Sequence, residues 1–324
     1  MSSQVIRWGM IGCGAVTEVK SGPAYQKTDA FELYGVTRRD KALAIEYAAR
    51  HQIPHVYPDA DALINCPHID AVYIATPPDS HLALALKVAD AGKPCCIEKP
   101  LAPTYQESLQ INNAFADKGL AVFVAYYRRS LPRFNHVKAL LDAQAIGDVR
   151  HISWHLNKAP NPLDLSGQYN WRTDKNIAPG GYFDDLASHG LDLFGFLFGE
   201  YEKVSGMATN QQGLYGAFDA ITACWQHKKG VTGSGSWNFG GFSRFDDVIV
   251  YGSNGEIRFS VFDERPITVT NDKGVQQHDI ANPQNIQLYH VQNMAESLLK
   301  GHTHPSTAHS ATHTSWVMQQ ILTP

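Results

Sequence analysis

The sequence predicts a chain of two unlike halves. Residues 1–125 read as an α/β domain on a parallel sheet, and residues 126–324 as an α+β domain whose sheet is mostly antiparallel. Three observations predict this. Short apolar runs alternate with helical patterns as far as residue 124, which is how a parallel sheet covered on both faces reads. The first run ends on Gly12-Cys13-Gly14, a strand-to-helix turn. From about residue 204 the pattern changes to short alternating runs separated by Gly or Asn. A length of 324 residues suits two domains of roughly 150 residues each.

The elements follow in order. Residues 6–11 form the first strand, a helical stretch ends near 24–26, and 31–37 form the second strand. Asp40 caps a helix carrying Leu43, Ile45 and Tyr47. Residues 71–76 make a buried strand closed by Pro77-Pro78, and Leu82, Leu86 and Ala89 follow at helical spacing. Residues 95–97 are a short strand. Thr104 and Glu107 form a capping box that opens a helix reaching Gly119, and 121–125 is the next strand. In the second half, 131–146 is helical and 149–157 alternates. A Pro/Asn/Asp-rich loop spans 160–179, and a helix spans 182–198. Strands are expected near 220–226, 231–237, 247–251 and 257–261, with Ser253-Asn254-Gly255 as a hairpin turn. Two helices, near 285–300 and 308–322, close the chain.

Composition excludes several classes. Lys and Arg number 27 against 31 Asp and Glu, a net charge of -4, which leaves no electrostatic footprint for nucleic acid. The longest apolar run, 121–127, falls far short of the ~20 residues of a membrane span. Residues 1–7 run straight into a strand pattern and lack the regions of a secretory signal. The five cysteines are odd in number and form no CxxC. A soluble, cytoplasmic protein is expected, with no metal centre. His302, His304, His309 and His313 crowd the C-terminus and read as a solvated tail. Gly230, Gly233, Gly235, Gly240 and Gly241 read as bulges and turns, and Cys95 and Cys96 as buried small hydrophobes.

Gly12 and Gly14 follow a strand and precede a helix. Glycine there permits a tight turn and close approach of the backbone to a pyrophosphate at the helix N-terminus, where Cys13, Ala15 and Val16 also lie. Thr17 stands where a third glycine is usual. At the end of the second strand an acid would hold the ribose hydroxyls of NAD, whereas Arg suits the 2′-phosphate of NADP. The residues here are Thr37-Arg38-Arg39, which favours NADP and leaves NAD possible. Asp40 comes too late and has a capping role. Thr76, Pro77 and His81 lie along the carboxyl edge of the sheet as cofactor neighbours.

Glu98-Lys99-Pro100 reaches the same edge. Farther on, Asp185 and His189 are one helical turn apart, so they share a face, and Asp192 extends the row. An imidazole beside a carboxylate suits proton transfer. Metal ligation would need a third ligand, which no HExxH-like set provides. Asp184 suits the helix dipole. Trp171 and Arg172 lie in the long loop, which has the length of a functional lid. Tyr126-Tyr127-Arg128-Arg129 is a comparable candidate.

Together, Gly12-Cys13-Gly14, Ala75-Thr76-Pro77-Pro78 with His81, Glu98-Lys99-Pro100, Tyr127-Arg128-Arg129, and Asp185 with His189 resemble the glucose–fructose oxidoreductase and inositol dehydrogenase (Gfo/Idh/MocA) family. Within it the chain looks nearest the dimeric dihydrodiol and NADP-dependent xylose dehydrogenases. The resemblance implies a Rossmann domain plus a C-terminal domain with a large open sheet that makes a homodimer or homotetramer. It implies hydride transfer between NAD(P) and a hydroxyl-bearing carbon of a sugar, polyol or cyclic diol. Lys99 and His189 would be the catalytic pair, with Asp185 orienting or binding substrate. Glu98, Lys99, Arg129, Trp171 and Arg172 would join the cofactor site. Two alternatives stay open: a nucleotide-sensing regulatory protein without turnover, and a redox-neutral hydrolase or lyase using nicotinamide transiently.

Overall fold

Alternating apolar runs become strands in the computed structural model, which describes residues 5–323. The strand-like reading of residues 1–4 lies outside that range. Six strands of the first half pair side by side: β1 (Ile6–Ile11), β2 (Phe31–Thr37), β3 (His55–Val56), β4 (Ala71–Ile74), β5 (Cys95–Ile97) and β6 (Val122–Val124). Their order is β3-β2-β1-β4-β5-β6, parallel throughout. The winding reverses between β1 and β4, and that switch point is where open α/β sheets form a ligand crevice.

Helix ends follow their caps. The Asp40 side chain accepts from the Ala42 and Leu43 amides and starts the helix Lys41–His51. The buried stripe of that helix is Ala44, Tyr47 and Ala48, while Leu43 and Ile45 face out. Thr104 and Glu107 form the expected reciprocal box at Tyr105–Ala116.

The chain divides into two units, and the division differs from a single boundary near 125. One unit holds the residues up to Ser130 together with Pro283–Thr312; the other holds Leu131–Asn282 and the residues from His313 on. Packing explains the return of 283–312. Helix Leu288–Lys300 puts Val291, Met294 and Ala295 into the cluster of Trp8, Tyr25, Tyr73 and Cys96 on one face of the parallel sheet. Ala308 and Ala311 enter the cluster on its other face.

The second unit is built on eight strands: β7 (Val149–Asn157), β8 (Tyr201–Thr209), β9 (Ala220–His227), β10 (Thr232–Asn238), β11 (Phe245–Gly252), β12 (Gly255–Phe259), β13 (Ile267–Asn271) and β14 (Gly274–His278). Their order is β14-β13-β12-β11-β7-β10-β9-β8, with β7 and β10 parallel and every other neighbouring pair antiparallel. Ser253 and Asn254 link β11 to β12 as expected. Strand alternation buries Trp154, Trp225, Trp237, Val248 and Ile257 on one face. The opposite face carries short polar side chains, among them Ser153, Thr222, Ser234 and Ser236.

Two expectations change here. Gly233 and Gly235 lie inside regular β10 rather than in a bulge, because a Cβ at either would collide with the indole of Trp225 or Trp237. Of the C-terminal histidines, His302 and His309 are exposed, but His304 and His313 are not part of a solvated tail. His304 is buried, with Ser306 N–H donating to its Nδ1 and its Nε2–H donating to the His290 carbonyl. His313 accepts the Tyr201 amide through Nε2 and stacks on Trp316. Among the described residues no helix is long and apolar enough to cross a membrane.

Two outcomes follow. A Cβ at Gly190 would meet the Trp154 ring at 2.3 Å. Gly190→Ala will therefore lower stability by about 1–3 kcal/mol, the usual cost of overpacking a core, read by denaturant unfolding. Burial holds the His227 and His304 imidazoles down at about 4, against 6.5 in free histidine. The unfolded chain then binds more protons than the folded one between those values. Stability is full above pH 6.5 and is lost as pH falls toward 4, by on the order of 3 kcal/mol for each histidine. Unfolding midpoints measured across that window should fall, and His227→Gln should flatten the slope.

Candidate active site

At the end of β1 the backbone turns at Gly12 with φ +93, and a Cβ would sit 2.8 Å from Thr76 Cγ2 and 2.9 Å from the Ala75 carbonyl carbon. Only glycine meets both demands. Gly14 differs: a Cβ there meets nothing nearer than the Gly12 carbonyl oxygen at 4.0 Å. The chain's own packing does not require that glycine, and a ligand seated against the turn would. Ala15 begins the helix, which runs only to Val19. Thr17, in the third-glycine position, is fully buried. Its hydroxyl donates to Gly14 O at 2.8 Å, and its carbonyl accepts from Tyr47 Oη at 3.0 Å. Close approach moves instead to Gly22, where a Cβ would lie 2.4 Å from the Thr17 carbonyl oxygen.

The end of β2 is drawn onto the same turn. Arg38 Nη1 donates to the Cys13 carbonyl at 3.0 Å, so the guanidinium is held beside Gly12 and Gly14. Thr37 is buried and bonded to Tyr57 O, and Arg39 is exposed. No acid stands at the end of β2, and Asp40 is committed to its helix.

The edge beyond β4 and β5 is tied by side chains. His81, in the first turn of its helix, is fully buried. Its Nε2 lies 2.9 Å from Thr76 O, and its Nδ1 lies 3.1 Å from both Pro100 O and Leu101 O. Burial pushes its pKa down. The imidazole thus joins the Thr76-Pro77 segment to the one after Lys99. Glu98 is also buried. It accepts Tyr73 Oη–H at 2.6 Å and Gln287 Nε2–H at 2.9 Å, while its other oxygen accepts the Lys99 amide at 3.3 Å. Lys99 is half-buried at the sheet's carboxyl edge. Arg129, a sequence candidate for the cofactor site, is buried and donates to Pro305 O at 3.1 Å. Tyr73 and Gln287 were not expected here: an apolar-looking strand hides the first, and 189 positions separate the second from Glu98.

In the second unit the helix expected over 182–198 begins with a π turn, Phe183–Ala187, and becomes α-helical at Ser188–Phe198. Such turns frequently mark functional sites. Asp184 accepts the Gly180 amide at 2.8 Å, so it closes the preceding loop. Asp185 Oδ2 pairs with Arg172 Nε at 3.0 Å, and the Arg172 guanidinium lies 4.4 Å from the Trp171 ring centroid. These three sequence candidates are brought together. His189 is buried, its ring edge-on to Phe262 at 6.1 Å. Asp192, three residues farther along the same helix, is fully buried and accepts from Thr314 Oγ1. The loop over 160–179 is not a free lid. Buried Asp164 accepts Tyr182 Oη–H at 2.5 Å and Asn170 Nδ2–H at 3.0 Å, which pins the segment carrying Trp171 and Arg172.

The geometry supplies two sets of groups. The first unit has a glycine turn and helix N-terminus with an arginine at hand, an arrangement that fits a dinucleotide. The second has a buried imidazole one helical turn beyond a carboxylate–guanidinium pair, an arrangement fit to exchange a proton.

Comparison with known proteins agrees. Residues 6–126 match the oxidoreductase family with an NAD-binding Rossmann fold, and residues 134–258 match the GFO/IDH/MocA C-terminal domain. The chain is 35% identical to oxidoreductase P35 of Formosa agariphila over 97% of each chain. It is 25% identical to the trans-1,2-dihydrobenzene-1,2-diol dehydrogenase of Sus scrofa, over 71% of this chain and 67% of that one. A structure of levoglucosan dehydrogenase with NADH and levoglucosan shares the fold at a TM-score of 0.88 and 22% identity, covering 98% of this chain and 96% of that one. Two matched domains and the arrangement of its strands thus make this chain a member of the GFO/IDH/MocA family, an NAD(P)-dependent oxidoreductase.

Proposed function

We propose that the protein is an NADP-dependent dehydrogenase or reductase acting at a hydroxyl-bearing carbon of a sugar, polyol or cyclic diol. The observation that carries the reaction is that Lys99, Asp185 and His189 are all present, in the family's order, in a chain of this oxidoreductase family. The pig relative acts, by its name, on a cyclic diol, which supports that substrate class.

NADP is held by Gly12, Cys13, Gly14, Ala15 and Val16 at the pyrophosphate, and by Arg38 and Arg39 at the 2′-phosphate. Thr76, Pro77, His81, Glu98, Lys99, Arg129, Trp171 and Arg172 complete or support its site. Nicotinamide, when bound, supplies or takes the hydride. His189 accepts the hydroxyl proton during oxidation, as a neutral imidazole can act as a general base. The Lys99 ammonium stabilises the negative charge that develops on that oxygen. Asp185, held by Arg172, orients the substrate. The Arg38–Cys13 bond supports NADP over NAD: it places a guanidinium beside the turn where an NAD-binding acid would otherwise stand. We further propose a cytoplasmic homodimer or homotetramer whose contact is the polar open face of the eight-stranded sheet, with no nucleic-acid or membrane partner.

Four measurements test this. Reduction of NADP and NAD across aldoses, inositols, deoxysugars and cyclic diols should show turnover with NADP preferred. His189→Ala and Lys99→Ala should each lower kcat by about 10²–10⁴-fold while the protein still binds NADPH. NADPH binding with no turnover on any panel member would refute the dehydrogenase reading. Arg38→Ala should raise KM for NADP by about tenfold or more, as loss of a charge-assisted phosphate contact does, with KM for NAD little changed. Light scattering should give a dimer or tetramer mass, and Cys224→Arg, on the open face, should reduce it.

A further inference from the structure

Lys158 follows directly on β7 and takes no part in the chemistry described above. Its backbone is clamped on both sides. Its N–H donates to Asn238 O and its carbonyl accepts the Gly241 amide, both at 2.9 Å, which prolongs the parallel pairing of β7 with β10. The side chain is half-buried, with its ammonium 5.9 Å from the centroid of the Tyr182 ring. Tyr182 immediately precedes the π turn that carries Asp185.

Among the described residues the Lys158 ammonium has neither a hydrogen bond nor an ion pair. The charged groups that act on it, Asp185 and Arg244, are already paired, and the carboxylate that holds Tyr182 is served as well. Asp185 holds Arg172, Asp263 holds Arg244, and Asp164 takes Tyr182 and Asn170. Lys158 is therefore the surplus positive charge of this corner. Burial and the nearby Arg244 lower its pKa, and Asp185 opposes them. A lysine free to do so carries its ammonium out to water; one kept partly desolvated over an aromatic ring, without an anion, bears a cost that an arriving anion removes.

We propose that Lys158 is a substrate-contacting residue that selects a carboxylate, so that the preferred substrate is a sugar acid, uronic or aldonic, rather than its neutral counterpart. This rests on the dehydrogenase reading above and narrows it. One ammonium matches the single charge of a carboxylate. A phosphate dianion would call for a second free cation, and both neighbouring arginines are paired.

The test compares matched pairs: D-glucuronate with D-glucose, D-galacturonate with D-galactose, and D-gluconate with D-sorbitol. Each is measured on wild type, Lys158→Met and Lys158→Arg. Wild type should favour the acid of at least one pair by about tenfold or more. Lys158→Met should raise KM for that acid roughly 10- to 100-fold, the loss of a hydrogen bond to a charged group, and move its neutral partner less than about threefold. Lys158→Arg should keep the preference. Calorimetric titration of the same acids into each variant with NADPH present needs no turnover. Acid binding that is lost in Lys158→Met, with no turnover anywhere, would sustain the assignment while the dehydrogenase reading failed. The assignment is overturned if wild type binds none of the acids. Equal losses for acid and neutral partner in Lys158→Met would overturn it too.

Discussion

A buried carboxyl group sets the terms for the first unit. Glu98 sits just past β5, out of water, where an unsatisfied oxygen would cost several kcal/mol. Its donors come from distant parts of the chain: Tyr73 on β4, the Lys99 amide next door, and Gln287 on the segment that returns from the second unit. The parallel sheet alone supplies two of the three. The chain must come back to supply the last, and the apolar face of helix Leu288–Lys300 holds it there once it has. Lys99 is positioned between this cluster and the contacts of His81 with Pro100 and Leu101. The residue proposed to stabilise charge in the reaction is thus braced on both sides, which is what preorganisation requires.

The second unit solves a different problem, that of presenting polar chemistry from an aromatic core. Trp154, Trp225 and Trp237 pack edge to face or in stacks beneath helix Ser188–Phe198. Glycines at 190, 233 and 235 clear the space their rings fill. The helix is seated on this layer too tightly to rotate freely. Its direction is therefore fixed before the π turn adjusts Asp185 against Arg172. Asp164, Asn170 and Tyr182 extend the same rigidity into the long loop.

Local signals were legible in the residues, and distant ones were not. Gly12 after an apolar run, the Asp40 cap and the Thr104–Glu107 box each act over a few positions, so the pattern carried them. The spacing of Asp185 and His189 was legible as well, although the π turn between them was not, since no composition marks it. The sequence places His81 at the sheet's carboxyl edge as a cofactor neighbour but does not show that its ring is buried. Its burial depends on three carbonyls, two of which lie about twenty residues away. Tyr73, Gln287 and Lys158 escaped for the same reason. The assignment of 283–312 to the first unit depends on which core accepts a helix, and periodicity shows only that the helix has an apolar side.

Because the first unit is assembled from two stretches of chain, order of synthesis matters. Residues 283–312 emerge from the ribosome only after nearly the whole second unit. Until then the nascent first unit exposes the pocket that Val291 and Met294 fill, and it leaves Glu98 short of one donor. The protein therefore cannot mature one unit after the other in the usual vectorial manner. The nucleotide-binding half, made first, is among the last parts to be finished.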